Sequence, residues 1–398
     1  MAVRPLEGHR VFDFTGAKAG PYCGMILADF GAEVIHIEAP GKTDPVRIME
    51  PALKGTSTEY FSLNRGKKNL QLDMKDPVGR EIAYKLIRKC DIFLENGKPG
   101  SAAKLGIGYE DVKKLRPDVV YASISGFGQT GPYRERAAYD TVIQAMSGFM
   151  SITGPEGGEP TKGGSSMSDI IAGMTCALGI AMGVIRRDKS GEGTYLDCSM
   201  LQSFMQMCDV AIDAYLVTGA VRGPVGNKHP ANAIAEPIKC KDGSFILQMF
   251  GEEQHKRFFK VFGMPDWTED PRFCSGPQRV ANRDVLVHEI VEPVLADYTL
   301  KEVAQILSEN KLPFGEIYTI DKVVADPQVH ERECFVNVTD SLNGTFRSLG
   351  SPFKFNNFEM PKNTFCDQSG EHNMDVLTCI LGMSESEAKD ALQRMYLL

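Results

Sequence analysis

The chain has 398 residues, enough for more than one typical domain and a sizeable core. Hydrophobic residues at 42% and charged residues at 24% are globular proportions; the net charge of −8 argues against bulk nucleic-acid binding but leaves room for a local basic pocket for an anionic ligand. Residues 1–20 carry Arg4, His9, Arg10 and Asp13 without an apolar core, and no uncharged apolar run reaches the roughly 20 residues that span a bilayer, so no membrane partner is expected and a cytoplasmic location is.

Arg10–Phe14 reads as a short strand, Thr15–Gly20 as a turn, Pro21 as a first helical position, Pro21–Phe30 as a helix and Glu33–Ile37 as a second strand closed by Glu38. That is a βαβ unit with a right-handed crossover and a parallel sheet. It is like a dinucleotide fold, but the turn is not G-x-G-x-x-G, which argues against an NAD site. The alternation continues with a strand at Asn69–Leu72, a helix from Asp76 to about Lys89, and a strand at Asp91–Glu95 ending in Asn96-Gly97. Val119–Ser123 is another strand, followed by the glycine-rich turn Gly126-Phe-Gly-Gln-Thr-Gly131; Asp140–Gly148 is helical, and Gly154–Gly164 is a loop.

A polar run, Gly163–Ser168, then meets an apolar segment with no charged residue from Ile170 to Ile185, which reads as a buried helix opening at Ser168 or Asp169. A carboxylate there sits where free N–H groups and the helix dipole favour negative charge. Asp169 is therefore either an ordinary N-cap or an ionised, partly desolvated nucleophile. A strand at Thr194–Cys198 and a helix from Leu201 to about Val217 follow.

Near residue 220 the composition changes to Gly, Pro and basic residues. Beyond it, Ala235–Lys239 and Ser244–Phe250 flank Asp242-Gly243, a hairpin signal. Helices at about 252–262, 282–296 and 300–309 lead to a closing strand from Leu312–Gly315 and Ile317–Ile320. The tail returns to strands at Phe335–Val338 and Phe346–Leu349 and ends in a helix from about Ser384. The fold class is α/β: a Rossmann-like parallel-sheet large domain from residues 1–220 and 330–398, and a smaller α+β domain at 225–325, with linkers near 220–230 and 322–332. The ten cysteines are scattered without a C-x-x-C pair and read as reduced, mostly buried thiols; the seven histidines show no metal-ligand spacing, so no metal is expected.

Ligands of an open parallel sheet bind at the carboxyl ends of its strands. The loops there carry Lys18, Asp73-Met-Lys75, Glu95-Asn96 and the 126–131 turn, amide and lysine donors suited to a phosphorylated, adenine-bearing ligand, although Lys18 and Lys75 taken singly read equally as solvated surface lysines. The whole set resembles the class III CoA-transferase (CaiB/BaiF) family, in Pro5-Leu-Glu-Gly8, Ala19-Gly-Pro21, Gly31-Ala-Glu-Val-Ile35, Asn64-Arg-Gly-Lys-Lys-Asn69, Leu72-Asp-Met-Lys75, Ser125-Gly-Phe-Gly-Gln-Thr-Gly-Pro132, Tyr139-Asp140, Gln144-Ala-Met-Ser-Gly148, Ser168-Asp169 with Gly173, and Pro352-Phe-Lys-Phe355.

The resemblance implies roles residue by residue. Asp169 falls on the family's catalytic aspartate. Leu72, Met74, Lys75, Asn96 and Tyr139 fall on positions lining the CoA site, Lys104 where a basic residue meets a CoA phosphate, and Lys18 near the reacting acyl group. Ala39 and Ala137 stand where relatives carry basic residues, so nucleotide contacts there must differ. The loop Gly226–Asn232 is expected near the site, with Asn227 and His229 as pocket residues or simply turn formers. Phe127, Met146, Phe149, Met150, Met200 and Phe204, with Asp140, suggest a pocket for a medium-sized or apolar acyl group, the first six reading equally as plain core. The family further implies an interlocked, ring-like homodimer, no tightly bound cofactor, and coenzyme A or acyl-CoA with a free carboxylic acid as substrates. The expected chemistry is CoA transfer through aspartyl anhydride and aspartyl-CoA thioester intermediates; a 2-methylacyl-CoA racemase and a non-catalytic acyl-CoA-binding protein are the alternatives.

Overall fold

In the computed structural model, which describes residues 3–41 and 44–395, the chain divides into two compact units. The first contains residues 1–149, 163–213 and 330–398; the second contains 150–162 and 214–329. The 150–162 stretch thus lies with the second unit and not, as its place in the chain suggested, with the large one. Gly226 N–H donates to the Gly154 carbonyl at 2.9 Å, and Lys228 donates to Glu156 at 3.1 Å, holding it to the 226–228 turn.

The first unit is built on six parallel strands: β1 (Arg10–Phe14), β2 (Glu33–Glu38), β3 (Lys67–Gln71), β4 (Ile92–Glu95), β5 (Val120–Ser125) and β6 (Thr194–Ser199). Their spatial order is β3-β2-β1-β4-β5-β6, every pair parallel. This is the doubly wound order, and the chain reverses direction across the sheet between β1 and β4. Every residue of β4 and β5 is buried, as a strand covered on both faces requires. Alternate residues feed two cores. Phe12, Ile35, Leu70 and Phe93 pack with Ile82 and Leu86 of helix α3 (Pro77–Ile87) on one face. Val11, Val34, Ile92 and Val120 face α1 (Ala19–Asp29) and the long helix that carries Asp169 on the other.

Helix α1 opens at Ala19, two residues before the expected Pro21, with Lys18 at its N-cap. Proline is accepted anywhere in a first turn because its missing N–H would be unpaired there. Before β3, where no element was anticipated, Ser57 caps α2 (Thr58–Asn64), its hydroxyl accepting from Glu59 N–H at 3.1 Å. The single helix expected from Leu201 to Val217 is two, Met200–Met205 and Asp209–Thr218. The tail adds an antiparallel pair, Phe335–Asp340 with Gly344–Leu349, and the last helix opens on a full capping box of Ser384 and Glu387.

In the second unit the hairpin forms as Ala235–Cys240 and Gly243–Gln248, joined at Lys241-Asp242, and Phe314–Glu316 closes the sheet on the second of these strands. The expected strand at Ile317–Ile320 is absent among the described residues: Thr319 takes an N-cap position and Ile320–Ala325 is helical.

Candidate active site

Doubly wound sheets bind ligands where the strand order reverses, here at the carboxyl ends of β1 and β4. Asp13, fully buried within β1, anchors that end of the sheet. Its carboxylate accepts from Lys67 Nζ at 2.9 Å, and the same ammonium donates to the Pro21 carbonyl at 2.9 Å and to Asn64 Oδ1 at 3.0 Å. One buried cation thereby ties β1, α1, α2 and β3 together. Burial alone would push the Asp13 carboxyl up, but Lys67 and the neighbouring His36 hold it well below the usual carboxylate range.

The loops after β1 and β4 are pinned to each other by one side chain. Asn96 Oδ1 accepts from Gly16 N–H at 3.0 Å, and Asn96 Nδ2 donates to the Gly16 carbonyl at 2.7 Å. Gly20 makes room for this amide: a Cβ there would lie 2.9 Å from Asn96 Cγ. Asn96 thus spends its amide on shaping the loop that presents Lys18, whose ammonium pairs with Glu59 of α2 at 2.6 Å.

Helix α4 (Asp140–Met146) follows the loop after β5, and α5 (Met167–Ser190) opens one residue before the expected Ser168 and two before Asp169, with Ser166 at its N-cap position. Asp169 is therefore the third residue of α5 and not its cap. One turn on, Gly173 crosses α1 so closely that a Cβ would lie 2.7 Å from the Ala19 carbonyl and 3.1 Å from Tyr22 Cβ. This contact sets the first turn of α5 beside Lys18. Length and apolarity would let α5 span a membrane, yet one face, including Ala172, Cys176 and Ile180, is buried in the core.

The result is a cavity of about 240 Å³ with Asp169 in its wall. Lys18, Asn96, Gly97, Lys98, Arg134, Arg136, Tyr139 and Met200 also line it, so four cations face one carboxylate. A second cavity, of about 580 Å³, shares Lys98, Pro99 and Arg134 with the first and extends to Lys104. Among the described residues the half-buried Asp169 carboxylate accepts no hydrogen bond. Burial pushes its pKa up to about 6 from 3.8; the nearby Asp140 carboxylate and, more weakly, Glu59 push the same way, and Lys18 opposes them. A carboxylate that is desolvated, unbonded and still mostly ionised at neutral pH is a nucleophile in waiting.

The structure brings Lys18, Asn96, Tyr139, Met200 and Asp169 to one cavity and Lys104 to the adjoining one. Asp140 lies behind Asp169, its carboxylate bonded to Ser168. Leu72, Met74 and Lys75 follow β3, the edge strand, and line neither cavity; the Leu72 and Met74 side chains are core, and Lys75 is exposed. Asn227 and His229 lie in the second unit, where turn chemistry uses them: His229 Nδ1 accepts from Ala231 N–H at 3.1 Å and its carbonyl accepts from Arg283. The six apolar residues expected around an acyl pocket are mostly placed elsewhere. Of its members only Met200 lines the cavity, while Phe204 is fully buried against Phe149 and Phe127 packs on the core beneath Arg136. Sequence reasoning missed Lys98, Arg134 and Arg136. The signal available was Ala137, a position short of a cation with an arginine one and three residues before it.

A dinucleotide reading fails on geometry as well. The acid at the end of β2, which would hold a ribose, is Glu38, and it is buried and fully engaged: it accepts from Arg47 at 2.8 Å, Tyr60 at 3.0 Å and Ser369 at 2.7 Å. Among the described residues no group of three His, Cys, Asp or Glu side chains is placed to hold a metal ion.

Residues 6–373 match CoA-transferase family III. The chain belongs to that family. This agrees with the resemblance carried by the sequence motifs. The chain is 33% identical over 380 residues to the succinyl-CoA:glutarate CoA-transferase of Homo sapiens, covering 95% of this chain and 86% of that one. It is 34% identical over 359 residues to the acetyl-CoA:oxalate CoA-transferase of Acetobacter aceti, covering 90% of each. A CaiB/BaiF family protein from Brucella suis superposes with a TM-score of 0.85 at 30% identity, covering 95% of this chain and 99% of that one.

Proposed function

We propose that this CoA-transferase moves CoA from an acyl-CoA to a free carboxylic acid, with Asp169 as the covalent nucleophile. The observation that carries this reading is the half-buried Asp169 carboxylate, free of hydrogen bonds and facing a cation-lined cavity at the point where the strand order reverses. The pantetheine end of CoA enters beside Lys18 and Asp169, and its phosphates lie outward along Lys98, Arg134 and Lys104.

Asp169 attacks the thioester carbonyl of the donor, forming an aspartyl–acyl anhydride and releasing CoA thiolate. The thiolate attacks the aspartyl carbonyl; an aspartyl-CoA thioester forms and the donor acid leaves. The acceptor carboxylate attacks that thioester, giving a second anhydride and thiolate. Thiolate attack on the new acyl carbonyl yields the product acyl-CoA and restores Asp169. Each step exchanges one activated carboxyl for another, so no ATP is consumed, and one difficult transfer becomes several easier ones.

The acid that suits this cavity carries a second carboxylate. Its wall sets four cations among small apolar side chains, and the relatives named above pair succinyl-CoA with glutarate and acetyl-CoA with oxalate. A second copy of the chain completes the reading: Met174, Leu178, Met182 and Ile185 form an exposed apolar stripe along α5, the kind of face a homodimer covers.

The test is mass-spectrometric CoA exchange without ATP, using a panel of acyl-CoA donors with mono- and dicarboxylic acids. New acyl-CoA is expected from the parent protein, most readily with dicarboxylic acceptors, and none from Asp169→Asn, which keeps the shape and loses the nucleophile. Exchange retained above a few per cent in that variant removes Asp169 from the mechanism. Failure of the parent across the panel, with CoA still bound, transfers the weight to α-proton exchange, measured in deuterated water, or to a binding role.

A further inference from the structure

Helix α5 begins without a cap of its own: Ser166, at the N-cap position, makes no side-chain bond to the helix. Four backbone N–H groups at such an end need partners. The partner comes from another helix. Asp140, first residue of α4, accepts from Ser168 N–H at 2.9 Å through Oδ1, and the same oxygen accepts from the buried Ser168 hydroxyl at 2.9 Å. Its other oxygen accepts from Gln144 Nε2 at 2.8 Å. Gln144, fully buried, continues the grip: its Nε2 donates to the Ser165 carbonyl at 3.1 Å, and its Oε1 accepts from Gly163 N–H at 2.8 Å. The segment leading into Asp169 is therefore fastened to α4 by one acid and one amide.

We propose that Asp140 is a positioning residue for Asp169, its carboxylate capping the nucleophile's helix from the neighbouring helix and presenting a like charge beside the nucleophile. The first task fixes where Asp169 stands, because Ser168 is its immediate neighbour in the chain. The second sets how strongly Asp169 holds a proton, and a more basic carboxylate attacks a thioester faster once ionised. The other charges on Asp169 come from different elements. Lys18, at the N-cap of α1, opposes Asp140, and Glu59 of α2 reinforces it; Lys98, Arg134, Arg136 and Tyr139 line the same cavity from the loops. Asp140 is the like charge that acts most strongly on Asp169, and among the described residues it, unlike Glu59, is bonded to α5 itself.

The catalytic consequence rests on the transferase reading; the geometry does not. The experiment therefore has two readouts. A water-soluble diazo reagent esterifies protonated carboxyls, and peptide mapping follows Asp169 alone as pH is varied. In the parent the labelling midpoint is expected near pH 6. Asp140→Asn keeps an oxygen for Ser168 and removes the charge, so its midpoint is expected to move down. The acid limb of kcat/KM for CoA exchange is expected to move with it. Asp140→Ala removes the cap as well and is expected to lower kcat at least tenfold, with Asp140→Asn recovering most of that loss. A midpoint in Asp140→Asn that is unchanged or higher overturns the electrostatic role; an alanine variant as active as the asparagine variant overturns the capping role. Shifted labelling in a protein that exchanges no CoA would leave this inference standing and remove the transferase reading.

Discussion

The raised proton affinity of Asp169 has a consequence for stability, and its sign can be worked out. In the unfolded chain the carboxyl titrates near 3.8; in the folded protein it titrates near 6, because burial and Asp140 disfavour the charge. Between those values the folded state holds the proton that the unfolded state has released. Stability therefore falls as pH rises from 3.8 to 6, and the cost is fully present above 6 and absent below 3.8. The difference of 2.2, at about 1.36 kcal/mol per pH unit, sets an upper limit of about 3 kcal/mol at neutral pH. Asp169→Asn removes the ionisation without changing the shape.

That variant, expected to exchange no CoA, is also expected to be the more stable protein at pH 7.5, its melting temperature raised by several degrees. At pH 4 the same integration leaves roughly 0.6 kcal/mol, so most of the gain should vanish. Scanning fluorimetry on both proteins, at one scan rate and at both pH values, measures this directly; matched rates matter because proteins of this size unfold irreversibly. A variant melting at or below the parent at pH 7.5, or gaining equally at both pH values, would refute the idea that Asp169 is held in a site that penalises its charge.

Gly173→Ala places a methyl 2.7 Å from the Ala19 carbonyl, so α1 and α5 must part. Thermal melts should show a loss of about 1–3 kcal/mol, and CoA exchange should fall further than stability explains, since the same contact sets Asp169 beside Lys18. The double variant Lys98→Gln, Lys104→Gln removes two cations from the outer cavity. Its KM for acyl-CoA should rise roughly tenfold with little change in kcat, the pattern of lost uniform binding, and the remaining affinity should depend less on salt.

Much of the sheet was legible because its signals are local. Arg10–Phe14 and Glu33–Glu38 are apolar runs closed by Gly-rich or acidic turns, and β1 falls on the residues its pattern indicated. The Asp169 helix showed itself as a long uncharged stretch after a polar run. What escaped was whatever long-range pairing decides. Helix α2 is only seven residues long, and its bearing on the site lies in Glu59 meeting Lys18 from 41 positions away. Lys98, Arg134 and Arg136 resemble any solvated cation until the sheet brings their loops together. Met200 and Phe204 are both buried in one core, yet only Met200 also reaches the cavity wall, a difference their composition does not announce. Residues 150–162 look like a loop of the large unit, and two bonds to the 226–228 turn assign them to the other.

The doubly wound sheet brings with it a crevice that in other proteins receives a dinucleotide. Two features of this chain distinguish its crevice from that one. At the end of β2 the acid that would hold a ribose is turned inward onto Arg47, Tyr60 and Ser369 and is not free to take one. Between β5 and β6 the chain inserts α4 and α5, and the close crossing at Gly173 carries the first turn of α5 back over α1 to the crevice mouth. A helix start is a favourable place for an anion, but a buried one with no donor of its own is not, and the two effects meet at Asp169. Burial and Asp140 raise the proton affinity of this carboxylate, and Lys18 holds the rise in check. The proposed reading then assigns the phosphates of a ligand to loop cations, Lys98, Arg134 and Lys104, which line the adjoining cavity. The absence of G-x-G-x-x-G from the first turn and the placement of Asp169 on the last crossover are two sides of one arrangement: the first crossover supplies position and a lysine, and the last supplies the carboxylate on which the proposed chemistry rests.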